Sequence, residues 1–524
     1  MNSWSELQKN LVETNEFIAE IDVETITFTR MGNYKATPYN LEQNLITVPA
    51  AKSLKGVWRW WARTAIVGAF DGRVNYKEAN KYLNKILGGT GKGEGSSLFR
   101  LEISDIKFPI NFETNLSQIC NEIDKFYEKA KDFLMDQRLR SYLPHNTKVS
   151  ISLNPSNTVI TIEHRNIPLY RYKNFVEGEL IKKGPLKDYF VKSQLHIRSK
   201  NGRHRIVATL QIPNLNIYPK IPRVKLLLMK RRDNEDDTLN KANIDSQRIM
   251  NYLKRVKEEM AVLVSKGLRF KISLYGIRDE EKVNFLLSSF LLSLILGGIG
   301  SLTKRAFGSL KLISFRFREG LKIDRGIQEI FQELQDKEFI ANELKETLKK
   351  LCDITITHAK RLFNISKTQE SRSIPIVPSL SNIRIEVIEC PSPDLSKIGG
   401  AFVKQTWKTK PVAQGRNLHT WILGLPRFQE RTKTGYAIKV KRDHEIYEPL
   451  RRISSIGARY FKTRSKNFII VFGLLSEDWP KDLWHIRSKN QPDYEKLVKE
   501  IPNGNSLQKV FDYAFEKVIS LVCK

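Results

Sequence analysis

Lys52, Lys55, Arg59 and Arg63 follow one another at steps of three, four and four, a spacing that lines side chains along one helix face. Ser53 and Trp60 lie in the same stretch. Ammonium and guanidinium groups bind phosphate, an indole offers a flat stacking surface, and a serine-capped helix start presents backbone N–H groups and the positive end of the dipole. Much further along come Gly297, Gly298, Gly300 and Gly308, with Lys304 and Arg305 among them. Glycines there let backbone approach a ligand closely while the two cations supply charge. Both groups suit a ligand that is flat and negatively charged.

Other chemistry has weaker support. His196 and His204, near Tyr189 and Lys192, are residue types used in general acid–base catalysis. In a basic segment they read first as contacts to phosphate or solvent. Glu102, Asp105 and the Asp233–Asp237 cluster lack a paired spacing with histidine, so no metal site is expected. No catalytic triad and no cofactor motif is visible. In GGTGKGEG, Lys92 precedes Gly93 rather than Ser or Thr, which excludes a Walker A loop.

The 524 residues carry 88 Lys and Arg against 57 Asp and Glu, a net charge of +31. That excess points to a polyanionic partner, nucleic acid ahead of an anionic membrane, although the basic composition of proteins from hot-living cells competes as an explanation. Cys120, Cys352, Cys390 and Cys523 are far apart without a CxxC, so neither a disulfide framework nor a zinc site is predicted. The polar start MNSWSELQKNLVETNEF predicts no signal peptide. Val283 to Leu296 falls short of the roughly 20 residues of a bilayer span and reads as a buried helix. A cytoplasmic protein is expected, with no membrane contact.

These side chains need elements to position them. Glu16 to Arg30 alternates as a first strand, and Ser53 is expected to cap a helix to about Phe70. Leu54, Val57, Trp58, Trp61, Ala62 and Ala65 form one apolar stripe on that helix. Trp58 and Trp61 therefore belong to the core, and Trp60 lies off the stripe. A second helix covers Tyr76 to Leu87, and Phe99, Leu101 and Ile103 share one face of a strand. Val149 to Glu163 reads as a hairpin around Asn154–Asn157. The segment 165–205 holds 11 Lys or Arg against three acids, with interspersed tyrosine and phenylalanine. His204 to Ile212 is strand-like, helices follow near 241–265 and 280–296, and Ile313, Phe315 and Phe317 mark another strand. The hexapeptide HIRSKN occurs at 196–201 and at 485–490, both read as loops.

Without its insertions, 16–318 spells βαββαβ, the ferredoxin-like order. The start of the first helix, the 165–205 segment and the Gly297–Gly308 loop should then emerge at one end of the sheet. Beyond 320, a helical stretch from Ile327 to Leu351 and strands near 374–389, 419–425 and 467–475 lead to a final helix near 505–522. The expected organisation is an N-terminal domain, 1–318, with a basic insertion at about 110–265, and an α+β domain, 319–524.

SLKGVWRWWAR after the first strand, GGTGKGEGSSLFRLEISD, and GGIGSLTKRAFGSL before the last strand resemble the RAMP superfamily of CRISPR-associated proteins. The KG-x-x-RWW form of the first motif, with HTWILGLPR, Gly435-Tyr436 and RRISS later, is similar to the type III-B (Cmr) effector subunit with two RAMP domains. The resemblance implies tandem ferredoxin-like RAMP domains with long insertions. It further implies a non-catalytic, cofactor-free subunit near the 3′ end of the guide RNA, touching guide and target RNA and neighbouring RAMP subunits in antiviral defence, with target cleavage left to other subunits. Arg427, Arg451 and Arg452 join the expected RNA contacts on the strength of those motifs. The alternative is a metal-independent RAMP endoribonuclease that processes guide RNA precursors.

Overall fold

The structure is a computed structural model. It describes residues 16–27, 29, 49–89, 96–108, 266–300, 302–365, 372–402, 420–424, 453–479 and 505–523, plus the backbone of short strands within 39–46, 148–240, 428–437 and 484–496. Two compact units emerge. One combines Met1–Thr29, Val48–Pro109 and Lys266–Lys524; the other combines Arg30–Thr47 and Ile110–Ser265.

In the first unit, β1 (Glu16–Thr25), β2 (Phe99–Lys107), β3 (Arg269–Gly276) and β4 (Leu310–Phe317) form one antiparallel sheet in the order β4-β1-β3-β2. With α1 (Ala51–Ala69), α2 (Tyr76–Leu87) and α3 (Glu280–Leu292) between them, this is the ferredoxin-like βαββαβ arrangement. Period-two alternation explains which face is buried. Ile21, Val23, Phe270, Ile272, Leu274, Phe99 and Leu101 turn toward the helices, and all are nearly inaccessible. The opposite face carries Glu20, Asp22, Glu24, Lys271 and Arg100. Every residue of Val283–Leu292 is buried, and the chain leaves α3 through a π turn, Ser293–Gly297.

The helical stretch expected from Ile327 is two helices, α4 (Arg325–Asp336) and α5 (Ala341–Leu362). Next come β5 (Ile383–Glu389), α6 (Leu395–Ala401), β6 (Ile456–Lys462), β7 (Asn467–Leu474) and α7 (Asn505–Val522). Their sheet runs β5-β7-β6, the 1-3-2 part of the first sheet's order, with no fourth strand among the described residues. The element order β-α-β-β-α repeats as well. Trp421, Trp479, Ile456, Val471, Phe511 and Phe515 belong to one buried cluster here, in which Trp421 and Trp479 meet edge to face at 4.6 Å.

Several sequence expectations need correction. Of 419–425, expected as strand, the described part includes a single 3-10 turn, Thr420–Leu423, with its four side chains buried; a short apolar run does not reveal its period. Of 374–389 only Ile383–Glu389 is strand, and β6 was not anticipated. Neither HIRSKN copy is a plain loop: His196–Lys200 pairs with Arg203–Leu210, and Trp484–Ile486 is a strand. In the second unit the expected hairpin exists, Lys148–Leu153 against Thr158–Arg165, inside a five-stranded sheet. The acidic 233–237 segment, the 241–265 helix and most of GGTGKGEG lie outside the described residues. Among the described residues no helix is long and apolar enough to cross a membrane, no group of three or more His, Cys, Asp or Glu could hold a metal, and Cys352, Cys390 and Cys523 are free thiols.

Candidate nucleic-acid interface

α1 begins at Ala51, with Ala50 in extended conformation as its N-cap and no side-chain cap. Ser53 is therefore the third helical residue rather than the cap. Its N–H donates to Ala50 O at 2.9 Å, and its side chain is exposed beside Lys52. The first turn, with its outward N–H groups, is still open. Lys55 is half-buried; that burial, and then Arg59 one turn on, pull its ammonium below the ordinary lysine range.

The apolar stripe behaves as its spacing requires. Trp58 and Trp61 are each 1 % exposed. The Trp58 indole N–H donates to Ser289 Oγ at 2.9 Å, and its ring meets Phe290 edge to face at 5.2 Å. Trp61 reaches across to Phe472 of β7, ring centres 5.6 Å apart.

The basic stripe is partly committed inside the protein. Arg59 donates to the Leu87 and Gly88 carbonyls and to Asn84 Oδ1, which places its charge on the negative end of α2. Arg63 lies 4.9 Å above the Tyr76 ring, and the Tyr76 hydroxyl donates to Asp478 Oδ2 at 2.8 Å. Trp60, half-buried, packs edge to face on Trp61 at 4.9 Å. The Lys304 ammonium lies 4.5 Å from the centre of the Trp60 ring, 5.6 Å from Trp61 and 4.3 Å from Phe472. It sits in a three-ring aromatic box, a favourable site for a desolvated cation.

The glycine loop is likewise a structural joint. Gly297 faces Val57 and Trp61 so closely that a β-carbon would lie 2.5 Å from Val57 Cγ1. Gly298 and Gly308 have φ of +68° and +60°, and a β-carbon on either would collide with the Arg459 guanidinium or Ile299 O respectively. Arg459, on β6, is fully buried. It donates to Thr303 O at 2.7 Å, Phe307 O at 2.9 Å and Gly308 O at 2.8 Å. Burial lowers its pKa to about 9, which leaves it charged at neutral pH. Beside it the loop bridges onto β6: Ala306 N–H donates to Ala458 O and Ala458 N–H to Lys304 O. Thr27 Oγ1 donates to Ala306 O at 2.7 Å, tying in the end of β1. Arg305 is half-buried near the Phe402 ring.

The expected meeting of the α1 helix and the glycine loop is thus present. What stays open there is narrower than the motif list: Lys52, Ser53, Gly56 and Gly300 are exposed, and Lys55, Trp60 and Arg305 are partly so. Arg427, Arg451 and Arg452 lie outside the described residues, and the 165–205 segment belongs to the other compact unit. Sequence reasoning missed two residues. Arg459 was signalled only by a lone charge in the apolar run IGARYF. Gly56 stands mid-helix, and a β-carbon there would touch nothing; such a glycine weakens a helix by about 1 kcal/mol relative to alanine, with no internal contact to explain it.

A sequence model of the RAMP superfamily matches residues 22–311, and the chain belongs to that superfamily. It is 23 % identical over 274 residues to the CRISPR system CMR subunit Cmr1 of Saccharolobus solfataricus, a match covering 51 % of this chain and 49 % of that one. The matched region thus spans about half the length of this curated relative. Among solved structures, a chain of a type III-B Cmr-beta complex bound to cognate target RNA and AMPPnP superimposes with a TM-score of 0.53 at 15 % identity, covering 97 % of this chain and 100 % of the other. Cmr1 from Pyrococcus furiosus, in its apo form, aligns over 95 % of this chain and 96 % of its own, with a TM-score of 0.39 and 16 % identity.

Proposed function

We propose that this chain is a non-catalytic RNA-binding subunit of a cytoplasmic type III-B CRISPR ribonucleoprotein effector complex, near the 3′ end of the guide RNA, where it helps capture target RNA alongside other RAMP subunits. The observation that carries this reading is the exposed first turn of α1. Lys52 and Lys55 present charge at the positive end of the helix dipole, Ser53 is exposed beside them, Gly56 leaves the adjacent helix surface bare, and the Arg459-held loop packs on the same helix where Gly297 meets Val57. An RNA backbone gains from such a surface through phosphate neutralisation and the helix dipole. Superfamily membership and likeness to a CMR subunit support the complex assigned to it. The two-domain division at about 318 is proposed on the repeated β-α-β-β-α order.

The protein, purified from its host with its natural partners, should carry short guide RNAs of defined 5′ sequence and companion RAMP subunits. Absence of both would remove the reading. The alternative, metal-independent cleavage of guide precursors, draws on one observation: strand register sets His164 opposite His204. Specific cuts abolished by His204→Ala would favour it; no cleavage of precursor or target is expected.

A further inference from the structure

The open face of the first sheet carries a row of four side chains that the loop-end surface does not use. Phe17 on β1 is paired directly with Tyr275 on β3, and Tyr275 with Arg100 on β2. The two rings meet edge to face with centres 6.0 Å apart. Arg100 lies 4.7 Å from the Tyr275 ring centre, and Arg316, on β4, lies 5.5 Å from that of Phe17. Phe17, Tyr275 and Arg100 lie in register across three strands, about 10 Å, and Arg316, whose backbone pairs with Glu20, reaches Phe17 through its side chain, so the row touches all four strands in the order Arg316, Phe17, Tyr275, Arg100. Both residues are half-buried, on the face opposite the buried row of Ile272 and Leu274.

We propose that this row is a second RNA site, a shelf on which bases of a single strand stack against Tyr275 and Phe17 while Arg100 and Arg316 take the flanking phosphates. The proposal rests on the reading of this chain as an RNA binder, and adds a surface at the far end of the sheet from the glycine loop. Aromatic rings on the two central strands of a four-stranded sheet are a workable base-stacking platform. The guanidinium groups can reach a ligand, since the Arg100 and Arg316 side chains are 52 % and 70 % exposed. Their present partners, Glu102 at 3.3 Å and Glu20 at 3.7 Å, are surface ion pairs that a phosphate can displace at little cost.

Charge also sets the direction of the strand. Further along β1 the same face bears Glu20, Asp22 and Glu24. Glu20 is held by Lys271 at 3.4 Å and Glu24 by Arg269 at 2.8 Å, while Ser314 Oγ donates to Asp22 at 2.6 Å. That region is charge-matched and offers phosphate nothing. At the shelf end Glu16 is shared between Arg278 and Arg318, so cations predominate. RNA is therefore expected to cross the sheet along the row rather than run along β1. An aromatic pair bracketed by arginines favours RNA over a protein partner, whose docking would call for a wider apolar patch.

The test uses the full chain, a short oligoribonucleotide carrying 5-iodouridine, and mapping of photo-crosslinks by mass spectrometry, with binding titrations in parallel. Adducts are expected on Tyr275 or Phe17. Tyr275→Phe should bind as wild type, and Tyr275→Leu, which keeps bulk but not the ring, about tenfold more weakly. Arg100→Ala with Arg316→Ala, both exposed, should weaken binding and flatten its salt dependence. Crosslinks confined to other regions, or wild-type affinity in both Tyr275→Leu and the arginine double variant, would overturn the shelf. So would loss of association with a companion protein subunit in those variants while RNA affinity stays intact. Lys52→Ala with Lys55→Ala is titrated beside them. Weakening there without shelf crosslinks refutes the shelf alone; shelf crosslinks with no effect of that pair refute the loop-end surface alone.

Discussion

The Arg459 guanidinium occupies the space that a β-carbon on Gly298 would need. Gly298 ends the π turn of the first ferredoxin-like half, and Arg459 sits midway along β6, beside β7 in the second. The glycine-rich loop is thus one of the joints that fasten the two halves together, and its glycines are needed for packing before any ligand arrives.

Arg459→Met should be strongly destabilising. It would strip its donors from the Thr303, Phe307 and Gly308 carbonyls; Gly308 O keeps the Ile299 N–H at 3.0 Å, and the other two acceptors, orphaned at about 1–3 kcal/mol each, lead to an expected loss of about 2 kcal/mol or more in urea unfolding. Arg459→Lys should not rescue it, because an ammonium lacks the planar fork that reaches all three carbonyls. An unchanged unfolding midpoint in both variants would contradict this role.

The three tryptophans of α1 should separate by burial. Trp58→Ala is expected to cost about 3–5 kcal/mol as a core truncation. Trp60→Ala should cost less, since it removes one wall of the Lys304 box, a cation–π contact of about 0.5–2 kcal/mol. Thermal melts of the two variants give the order directly; equal melting temperatures would show that the faces of this helix are misassigned.

Much of this was legible in the sequence, for a local reason in each case. Tyr76–Leu87 was readable from end to end because Asn75 and Glu78 form a capping box, and the α1 stripe because 3.6-residue periodicity survives three tryptophans. Ser53 was misleading: a good capping residue sat two positions inside a helix that starts after Pro49 with no side-chain cap. The commitments of Arg59 and Lys304 were invisible, since each depends on groups brought near only by the fold: the end of α2 for Arg59, and α1 and β7 for Lys304. Sequence shows which cations exist, and only packing shows which are already taken.

Glu338 gives a pH-dependent signature. Hydrogen bonds from the Ser465 and Thr463 hydroxyls, followed by the Arg464 and Ser465 N–H groups, hold its carboxyl down to about 2. A carboxyl with a lowered folded-state pKa contributes stability above its ordinary value, 4.5, and loses it as pH falls toward 2. The melting temperature of wild type should therefore exceed that of Glu338→Gln near neutrality, and the gap should close between about pH 4.5 and 2. A gap independent of pH would mean that ionisation is not what anchors the turn between β6 and β7.

Gly56→Ala separates fold from function. Alanine should stabilise α1 by up to about 1 kcal/mol, because the added methyl meets no protein atom. The same methyl should weaken RNA binding if the backbone of a strand lies on that surface. A variant that is both more stable and equally tight would show the glycine to be incidental.

The most direct measurement is a salt-dependent titration of labelled guide RNA against wild type and the Lys52→Ala, Lys55→Ala double variant. Single-stranded RNA gives a log–log slope of about −0.7 per phosphate neutralised. Wild type engaging about six phosphates should show a slope near −4, and the double variant a slope shallower by about 1.4 with weaker affinity and an unchanged melting temperature. Equal affinity and equal slope for the two proteins would contradict the assignment of the α1 start as an RNA-contact surface.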